Sequence, residues 1–289
     1  MSVLQKQFEV LEWAFSFLRS HHREEKVAEI LLIHHLNMSR TTYFANMREP
    51  IPHTVFDKFK RDLEKHAITG VPVQHLTGYE YFYGRKFIVN NHVLIPRFET
   101  EELVHHVIKQ INKKASTEPM TIIDVGTGSG IIGITLALEV PTSIVYATDI
   151  SENALQLAKQ NAKLLNAPVH FIAGDFLQPI IEKDINPLVI VSNPPYVSEQ
   201  EKESLSDTVK NFDPALALFA QENGLSAYEK IIKQINSLPK NLNRSIYFEI
   251  GHTQARDVSE LIKKYFPSSD IIVLKDMNGK DRIISADLM

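Results

Sequence analysis

The sequence predicts an α/β protein: a mostly parallel sheet with a terminal antiparallel hairpin, preceded by a bundle of helices. From about Pro119 onward, short runs rich in β-branched residues alternate with segments of helical spacing. This alternation is typical of parallel strands covered by helices on both faces. The last two runs are joined by Met277-Asn278-Gly279, a short turn that predicts the antiparallel hairpin.

The segments before the sheet differ from it in the spacing of their apolar residues and in composition. Apolar residues recur at helical spacing over residues 8–18, 27–36 and 55–66, which predicts a small helical bundle. Aromatic and β-branched residues then surround Gly84-Arg85, which predicts a β-hairpin. We therefore predict three segments: a helical domain (1–75), a hairpin connector (76–98) and an α/β domain (99–289).

Seven runs in the third segment are predicted to be strands. They are "MTIIDV" (120–125), "SIVYATD" (143–149), "VHFIAGD" (169–175), "PLVIVSN" (187–193), "SIYFEIG" (245–251), "DIIVLKD" (270–276) and "KDRIISADL" (280–288).

Composition narrows the function classes. The 289 residues are 44% hydrophobic and 23% charged, as in ordinary globular proteins, and the net charge of -4 provides no general attraction to nucleic acid. The sequence has no cysteine, which excludes disulfides and cysteine-ligated zinc, and its histidine pairs are adjacent rather than four apart. No apolar run approaches the roughly 20 residues of a membrane span. We expect a cytoplasmic monomer without a metal, a membrane anchor or direct nucleic-acid binding.

A glycine-rich loop follows the first predicted strand. In "DVGTGSG" (124–130), three glycines let the backbone turn sharply and approach a ligand, so the loop Gly126, Thr127, Gly128, Ser129 and Gly130 is a candidate cofactor site. The third glycine comes one residue earlier than in the dinucleotide pattern G-x-G-x-x-G. A single nucleoside therefore fits better than NAD, which stays possible.

The acid at the end of the second strand fits such a ligand. Asp149 lies 19 residues after Gly130. An acidic residue at about this sequence spacing accepts hydrogen bonds from the ribose diol in nucleotide-binding folds. The alternative is a helix N-cap or a surface carboxylate.

The fourth predicted strand ends unusually, in Asn193, Pro194, Pro195 and Tyr196. Proline has no backbone N–H and a fixed φ, so a central strand must stop here. The Asn193 side-chain oxygen and the Pro194 carbonyl can form an acceptor pair on a rigid turn, at the edge of the sheet where ligands bind. The alternative is a turn without chemistry.

With "DVGTGSG", "ATDIS" and "SNPPY" in this order, the sequence resembles class I S-adenosylmethionine-dependent methyltransferases. More narrowly it resembles the HemK/PrmC family, which methylates a glutamine side-chain nitrogen in release factors. Further stretches carry this narrower resemblance: "GVPVQHLTGYEYFYGRKFIV" (70–89), "VLIPRFETEELV" (93–104), "NGLSAYEKII" (223–232), "FEIGHTQA" (248–255) and "MNGKDRII" (277–284).

The resemblance implies a Rossmann-like class I sheet and S-adenosyl-L-methionine as cofactor, with S-adenosyl-L-homocysteine as product. It implies class 1 peptide chain release factors as partners, with the glutamine of their Gly-Gly-Gln motif as the methyl acceptor. The segment 1–75 would then bind the protein substrate.

The resemblance also suggests further site residues. Asp175 ends the third strand, where an acid can contact the adenine amino group or cap a helix, and the Phe176 ring can cover the adenine. Arg97 in the connector and Glu99 directly after it are expected either to meet the cofactor's carboxylate and ammonium groups or to form an interdomain salt bridge.

In this reading, Asn193 and the Pro194 carbonyl accept both N–H bonds of the substrate amide. This orients the nitrogen and stabilises the positive charge that develops on it. Tyr196 would pack its ring against the flat amide, and no strong general base is needed.

Three alternatives remain. A sister family methylates a glutamine of a large-subunit ribosomal protein, although "ETE" (99–101) favours the release-factor enzymes. Adenine-N6 methyltransferases of DNA or RNA share the Asn-Pro-Pro-Tyr tetrapeptide. A non-catalytic protein that binds the cofactor is the third.

Overall fold

The structure, a computed structural model, describes residues 6–113, 119–239 and 243–288. The chain divides into two compact units. The first comprises the described residues of Met1–Tyr79 together with Ser206–Phe212, and the second comprises those of Glu80–Leu205 and Asp213–Met289. The return of the chain to the first unit at Ser206–Phe212 was not predicted. The three segments 1–75, 76–98 and 99–289 stay a prediction about functional domains.

The described helices, in chain order, are α1 (Gln7–Ser20), α2 (Lys26–Leu36), α3 (Arg40–Asn46), α4 (His53–Thr69), α5 (Val73–Thr77), α6 (Phe98–Lys113), α7 (Ile131–Glu139), α8 (Glu152–Leu165), α9 (Gln178–Glu182), α10 (Asp207–Phe212), α11 (Ala215–Leu218), α12 (Gln221–Gly224), α13 (Ser226–Ser237) and α14 (Ala255–Tyr265). A 3₁₀ helix spans Glu199–Ser204. The strands are β1 (Tyr79–Phe82), β2 (Arg85–Ile88), β3 (Thr121–Val125), β4 (Ile144–Asp149), β5 (Val169–Ala173), β6 (Val189–Ser192), β7 (Arg244–Glu249), β8 (Asp270–Lys275) and β9 (Asp281–Leu288).

The first unit is a helical bundle, as predicted. Its core brings together fully buried residues of α1, α2 and α4, among them Leu18, Leu31 and Phe59. These residues recur every three or four positions, so each helix presents one apolar stripe to the others. The helix α10 belongs to this unit, where the Arg23 guanidinium donates to the Asp207 carboxylate at 2.8 Å and to the Ala67 carbonyl at 3.2 Å.

The second unit contains the predicted sheet. Its described strands pair in the order β5-β4-β3-β6-β7-β9-β8. Strands β3 to β7 are parallel, whereas β9 runs antiparallel to both β7 and β8. This arrangement confirms the predicted class I sheet with its terminal hairpin. The connector hairpin β1–β2 is also present, but its turn lies at Tyr83-Gly84, both with positive φ, one residue earlier than predicted.

Alternation along the central strands creates two cores. Ile122 of β3 packs in a cluster with α6 and α7, whereas the next residue, Ile123, packs on the other face with α13 and α14. Side chains on a strand point alternately to opposite faces, so a parallel strand covered on both sides must be apolar throughout. Because β3, β4 and β6 are parallel neighbours, their carboxyl ends lie at the same edge of the sheet. Ligands of such sheets bind at this edge.

Across the described residues, no helix combines the length and the apolar character that a membrane span requires.

Candidate active site

A cavity of about 410 Å³ lies at this edge of the sheet, within the second unit. Most of the predicted site residues line it: Arg97, Gly126, Thr127, Gly128, Ser129, Asp149, Asp175, Phe176, Asn193 and Pro195. Glu99, Gly130, Pro194 and Tyr196 are not among the lining residues. The carboxyl ends of four parallel strands thus bring together residues from Gly126 to Pro195, and Arg97 reaches the cavity from the segment before α6.

The three loop glycines have different roles. Gly126 and Gly128 have φ of +73° and +55°, and a Cβ built on either meets nothing within 4 Å. Their backbones therefore leave open space on the cavity side, as a bound ligand requires. Gly130 has φ +87°, and a Cβ there would lie 2.7 Å from Ile134 Cδ1. Close packing against Ile134 therefore requires a glycine here, and contact of Gly130 with the cofactor stays a prediction.

The buried carboxyl group of Asp124 holds the glycine loop through hydrogen bonds. Asp124 Oδ2 accepts hydrogen bonds from the Thr127 hydroxyl at 2.5 Å and from the Gly133 N–H at 2.9 Å. Burial raises the pKa of Asp124 to about 7, although the bond from Thr127 opposes this rise. The side chain is fully buried, so it positions the loop without facing the cavity.

Asp149 is placed as predicted, at the end of β4. Its Oδ2 accepts from the Gly128 N–H at 2.8 Å and its Oδ1 accepts from the Ser151 N–H at 2.8 Å. The N-cap of α8 is Ser151, so the alternative role of Asp149 as a cap is wrong. Each carboxylate oxygen has a further lone pair, so the group can still accept from two hydroxyls. Burial raises the pKa of Asp149 above its ordinary value.

Asp175 and Phe176, which follow β5, also line the cavity. The Asp175 carboxylate accepts from Lys230 Nζ, which is also 5.9 Å from the centre of the Phe176 ring. The N-cap position of α9 is Leu177, which excludes the cap alternative for Asp175 as well. The sequence did not single out Lys230, which lines the cavity from α13.

Asn193 is held by a chain of hydrogen bonds that the sequence did not reveal. Its Nδ2 donates to Thr100 Oγ1 at 3.2 Å, and the Thr100 hydroxyl donates to Glu249 Oε2 at 2.7 Å. The Tyr196 hydroxyl approaches Glu249 Oε1 at 3.4 Å. No described residue donates to Asn193 Oδ1 or to the Pro194 carbonyl, so these two acceptors remain available.

The turn after Asn193 is also fixed through its backbone. The Tyr196 carbonyl accepts from Gln254 Nε2 at 2.9 Å, while Gln254 Oε1 accepts from the Gly251 N–H at 3.0 Å. Gly224 lies against the same carbonyl, where a Cβ would come within 2.1 Å of the Tyr196 oxygen. Tyr196 itself packs into the core beside α13 and α14. Its contact with a substrate amide stays a prediction.

Arg97 lines the cavity, and its Nη2 donates to Asp213 Oδ2 at 2.7 Å. Both residues belong to the second unit. This salt bridge therefore lies within one unit, whereas the alternative placed it between two domains. Glu99 lies in the first turn of α6. Among the described residues, no group of histidine and acidic side chains has an arrangement that could hold a metal ion.

Two family models match the chain. The model described as "PrmC N-terminal domain" matches residues 9–78, and the one described as "Methyltransferase small domain" matches residues 100–217. The chain is 45% identical to the release factor glutamine methyltransferase of Bacillus subtilis (strain 168), over 96% of each chain.

The chain belongs to the release factor glutamine methyltransferase family.

A second member of this family, from Enterococcus faecalis (strain ATCC 700802 / V583), is 39% identical over 98% of this chain and 99% of the relative. Among solved structures, the hMettl16 catalytic domain in complex with a MAT2A 3′UTR hairpin matches with a TM-score of 0.55 at 15% identity, covering 81% of each chain. That likeness shows the fold alone. S-adenosylmethionine is the methyl donor of enzymes with this fold.

Three of the residues missed by sequence reasoning lie inside the stretches that carry the family resemblance. Thr100 is in "ETE", Gly224 is in "NGL" and Gln254 is in "GHTQA". Asn161 lies outside them: its Nδ2 donates to the carbonyls of Ile88 and Ser129 at 3.0 and 2.9 Å, which joins β2 to the glycine loop. No local pattern distinguishes this asparagine from Asn153, the other asparagine on α8.

Proposed function

We propose that the protein transfers a methyl group from S-adenosyl-L-methionine to the side-chain amide nitrogen of a glutamine, the one in the Gly-Gly-Gln motif of class 1 peptide chain release factors. The observation that carries the reaction class is the state of Asn193. Its Nδ2 is occupied by Thr100, so Oδ1 is the polar end left for the cavity. The substrate is supported by identity of 39–45% to release factor glutamine methyltransferases over nearly the whole chain.

The cavity fits the cofactor. Open space beside Gly126 and Gly128 gives a ligand access to the backbone, and Asp149 retains acceptor capacity for a ribose diol. Phe176 provides an apolar ring in the cavity lining, against which an adenine could stack. When bound, S-adenosylmethionine supplies the methyl group on a sulfonium, and S-adenosylhomocysteine leaves.

The acceptor pair addresses the difficulty of the reaction. An amide nitrogen is a poor nucleophile because its lone pair is delocalised into the carbonyl. Asn193 Oδ1 and the Pro194 carbonyl would accept the two N–H bonds of the glutamine amide, which directs the lone pair at the methyl carbon. The same contacts strengthen as positive charge grows on nitrogen, so they stabilise the transition state more than the ground state. The extra proton becomes acidic after methylation and can leave to water.

Mass spectrometry tests the assignment directly. The purified protein is incubated with S-adenosylmethionine and, in separate reactions, with a class 1 release factor, a large-subunit ribosomal protein and duplex DNA. We expect the mass of one methyl group to be added to the Gly-Gly-Gln glutamine alone. Preferential modification of the ribosomal protein or the DNA would overturn the substrate. Cofactor binding without any modification would favour a non-catalytic protein.

We further propose that the helical unit binds the protein substrate and that the enzyme acts as a cytoplasmic monomer. The unit matches the PrmC N-terminal domain. It also exposes large apolar side chains, namely Trp13, Phe44 and Ile68, which suit contact with a protein.

Kinetics on two substrates test this division of labour. Trp13→Ala, Phe44→Ala and Ile68→Ser should raise KM for the intact release factor and leave the rate on a short Gly-Gly-Gln peptide unchanged. Ile272→Ser, at an exposed position on β8 of the second unit, is the control and should change neither value. Unchanged KM in all three variants would contradict the proposal.

A further inference from the structure

The side-chain amide of an asparagine can face either way, and the two orientations have opposite chemistry. With Oδ1 toward the substrate, Asn193 accepts a hydrogen bond from the N–H of the glutamine amide. With Nδ2 toward the substrate, two N–H donors face each other and no hydrogen bond can form. The orientation must therefore be imposed by the partner of the other end of the amide. In this structure that partner is the Thr100 hydroxyl.

A proton count shows how Thr100 chooses the orientation. A threonine hydroxyl has one proton to donate and two lone pairs that accept. The Glu249 carboxylate can only accept, so the Thr100 hydroxyl donates its hydrogen bond to Glu249 Oε2, with the two oxygens 2.7 Å apart. Thr100 Oγ1 can then only accept from Asn193, which brings Nδ2 to it at 3.2 Å and turns Oδ1 away.

We propose that Thr100 and Glu249 are positioning residues: the ionised Glu249 fixes the Thr100 proton, and Thr100 thereby holds Asn193 with its oxygen toward the substrate amide. This inference rests on the proposed function, in which Asn193 accepts from the substrate. Neither residue takes part in bond making. Both are buried, with exposed fractions of 1%, so water does not substitute for either hydrogen bond.

The surroundings of Glu249 make this device sensitive to pH. Burial raises its pKa to about 7, and Glu99 of α6 acts in the same direction. The Thr100 bond and Arg282 of β9 oppose the rise, and the Tyr196 hydroxyl does so more weakly. From α13, the Tyr228 hydroxyl donates to the Glu249 backbone carbonyl at 2.7 Å.

The direction of the pH effect follows. Above about pH 7 Glu249 is a carboxylate and the Thr100 proton is committed to it. Below that pH Glu249 carries a proton and can donate to Thr100, whose own proton is then free to point at Asn193. The amide orientation is no longer enforced, so the methyl-transfer step should slow as the pH falls through about 7.

Single-turnover rates test the positioning role. Thr100→Val removes the hydroxyl at nearly constant shape and leaves the Asn193 N–H without a partner, so the rate at pH 8 should fall by roughly 10- to 100-fold. Thr100→Ser keeps the hydroxyl and should restore most of the rate. Thr135→Val is the matched control: Thr135 is fully buried on α7 and its hydroxyl has no partner among the described residues, so its loss should not affect the rate. Cofactor affinity, measured by calorimetry, should stay near the wild-type value in all three.

A second measurement reads the Asn193 amide without any substrate. With ¹⁵N-labelled asparagine, the Asn193 side-chain NH₂ signal is identified by its absence in Asn193→Asp. In the wild type this signal should shift with pH with a midpoint near 7, the value set by Glu249. In Glu249→Gln the shift of this signal should disappear, and the acid limb of the pH–rate profile should shrink to the part contributed by Asp124, whose pKa is also about 7.

The outcomes separate the two ideas. A wild-type enzyme that does not methylate the release factor overturns the proposed function, while the NMR signal still decides whether the relay exists. A signal that ignores pH, Thr100→Val and Glu249→Gln overturns the relay. A Thr100→Val variant that loses cofactor affinity and keeps its single-turnover rate also overturns it, because Thr100 would then be only a cofactor contact.

Discussion

The two ends of the cavity are built by different means. At the cofactor end, the loop 126–130 is shaped by positive φ at its glycines, and the groups that hold it are mainly close in sequence, such as Asp124 and Asp149. At the acceptor end, Asn193 and Tyr196 are held by Thr100, Gly224, Glu249 and Gln254, which come from three other parts of the chain.

The difference follows from the task of each end. A cofactor is bound mainly by backbone groups and one carboxylate, which a short continuous motif can supply. A neutral amide must be oriented to be reactive, which requires side chains that are themselves held in one orientation. The cofactor end should therefore control affinity, and the acceptor end should control rate.

The largest effect is expected at Asn193. Asn193→Ala removes an acceptor that acts mainly in the transition state, so the single-turnover rate should fall by on the order of 10²–10³. Cofactor affinity should change little. Asn193→Asp keeps an acceptor but adds a charge, and its rate should lie between those of alanine and wild type. Near-normal chemistry in the alanine variant would mean that Asn193 only shapes the turn.

Asp149→Ala should show the opposite behaviour. Loss of the carboxylate removes hydrogen bonds to a charged group, each worth roughly 1.5–3 kcal/mol, so calorimetry should show cofactor affinity reduced at least about tenfold. The single-turnover rate at saturating cofactor should recover most of its wild-type value. A single-turnover rate that stays low at saturating cofactor would contradict the expectation that the cofactor end controls affinity alone.

Gly224→Ala tests the backbone support of the acceptor turn. The new Cβ would come within 2.1 Å of the Tyr196 carbonyl oxygen and 2.6 Å of Gln254 Nε2, so the turn must shift. We expect a loss of about 1–3 kcal/mol in the free energy of unfolding, together with a slower methyl transfer. Gly279→Ala is the control, since Gly279 also has positive φ, +75°, but its Cβ would meet nothing within 4 Å. Equal effects in both variants would show that conformational strain, not the contact, is responsible.

The smallest effect is expected at Lys230. Its ammonium pairs with Asp175, but its side chain is half exposed, and exposed pairs contribute about 0–1 kcal/mol. Lys230→Met should change cofactor affinity by less than about fivefold. A larger loss, measured by calorimetry at two salt concentrations, would show that Lys230 contacts the ligand itself.

The sequence predicted the fold and the cofactor end well for the same physical reason. Strands, the glycine loop and Asp149 are specified by local spacing, which a reader of the sequence can see. The partners of the acceptor end could not be predicted in this way. Thr100 lies 93 residues before Asn193, and Gln254 lies 58 residues after Tyr196. Only the fold brings these residues together, and a lone threonine or glutamine carries no local signal of such a contact.

The path of the chain bears on how the helical unit can be exchanged or removed. The chain leaves that unit after Tyr79, returns at Ser206 and leaves again after Phe212. The helical unit therefore consists of two separate segments of the chain, and a single truncation cannot remove it completely. A truncation before Glu80 would leave the α10 segment behind, with Asp207 deprived of the Arg23 guanidinium that pairs with it. Grafts between relatives therefore need to carry Ser206–Phe212 along with the amino-terminal helices, because the ion pair between Arg23 and Asp207 joins these two pieces.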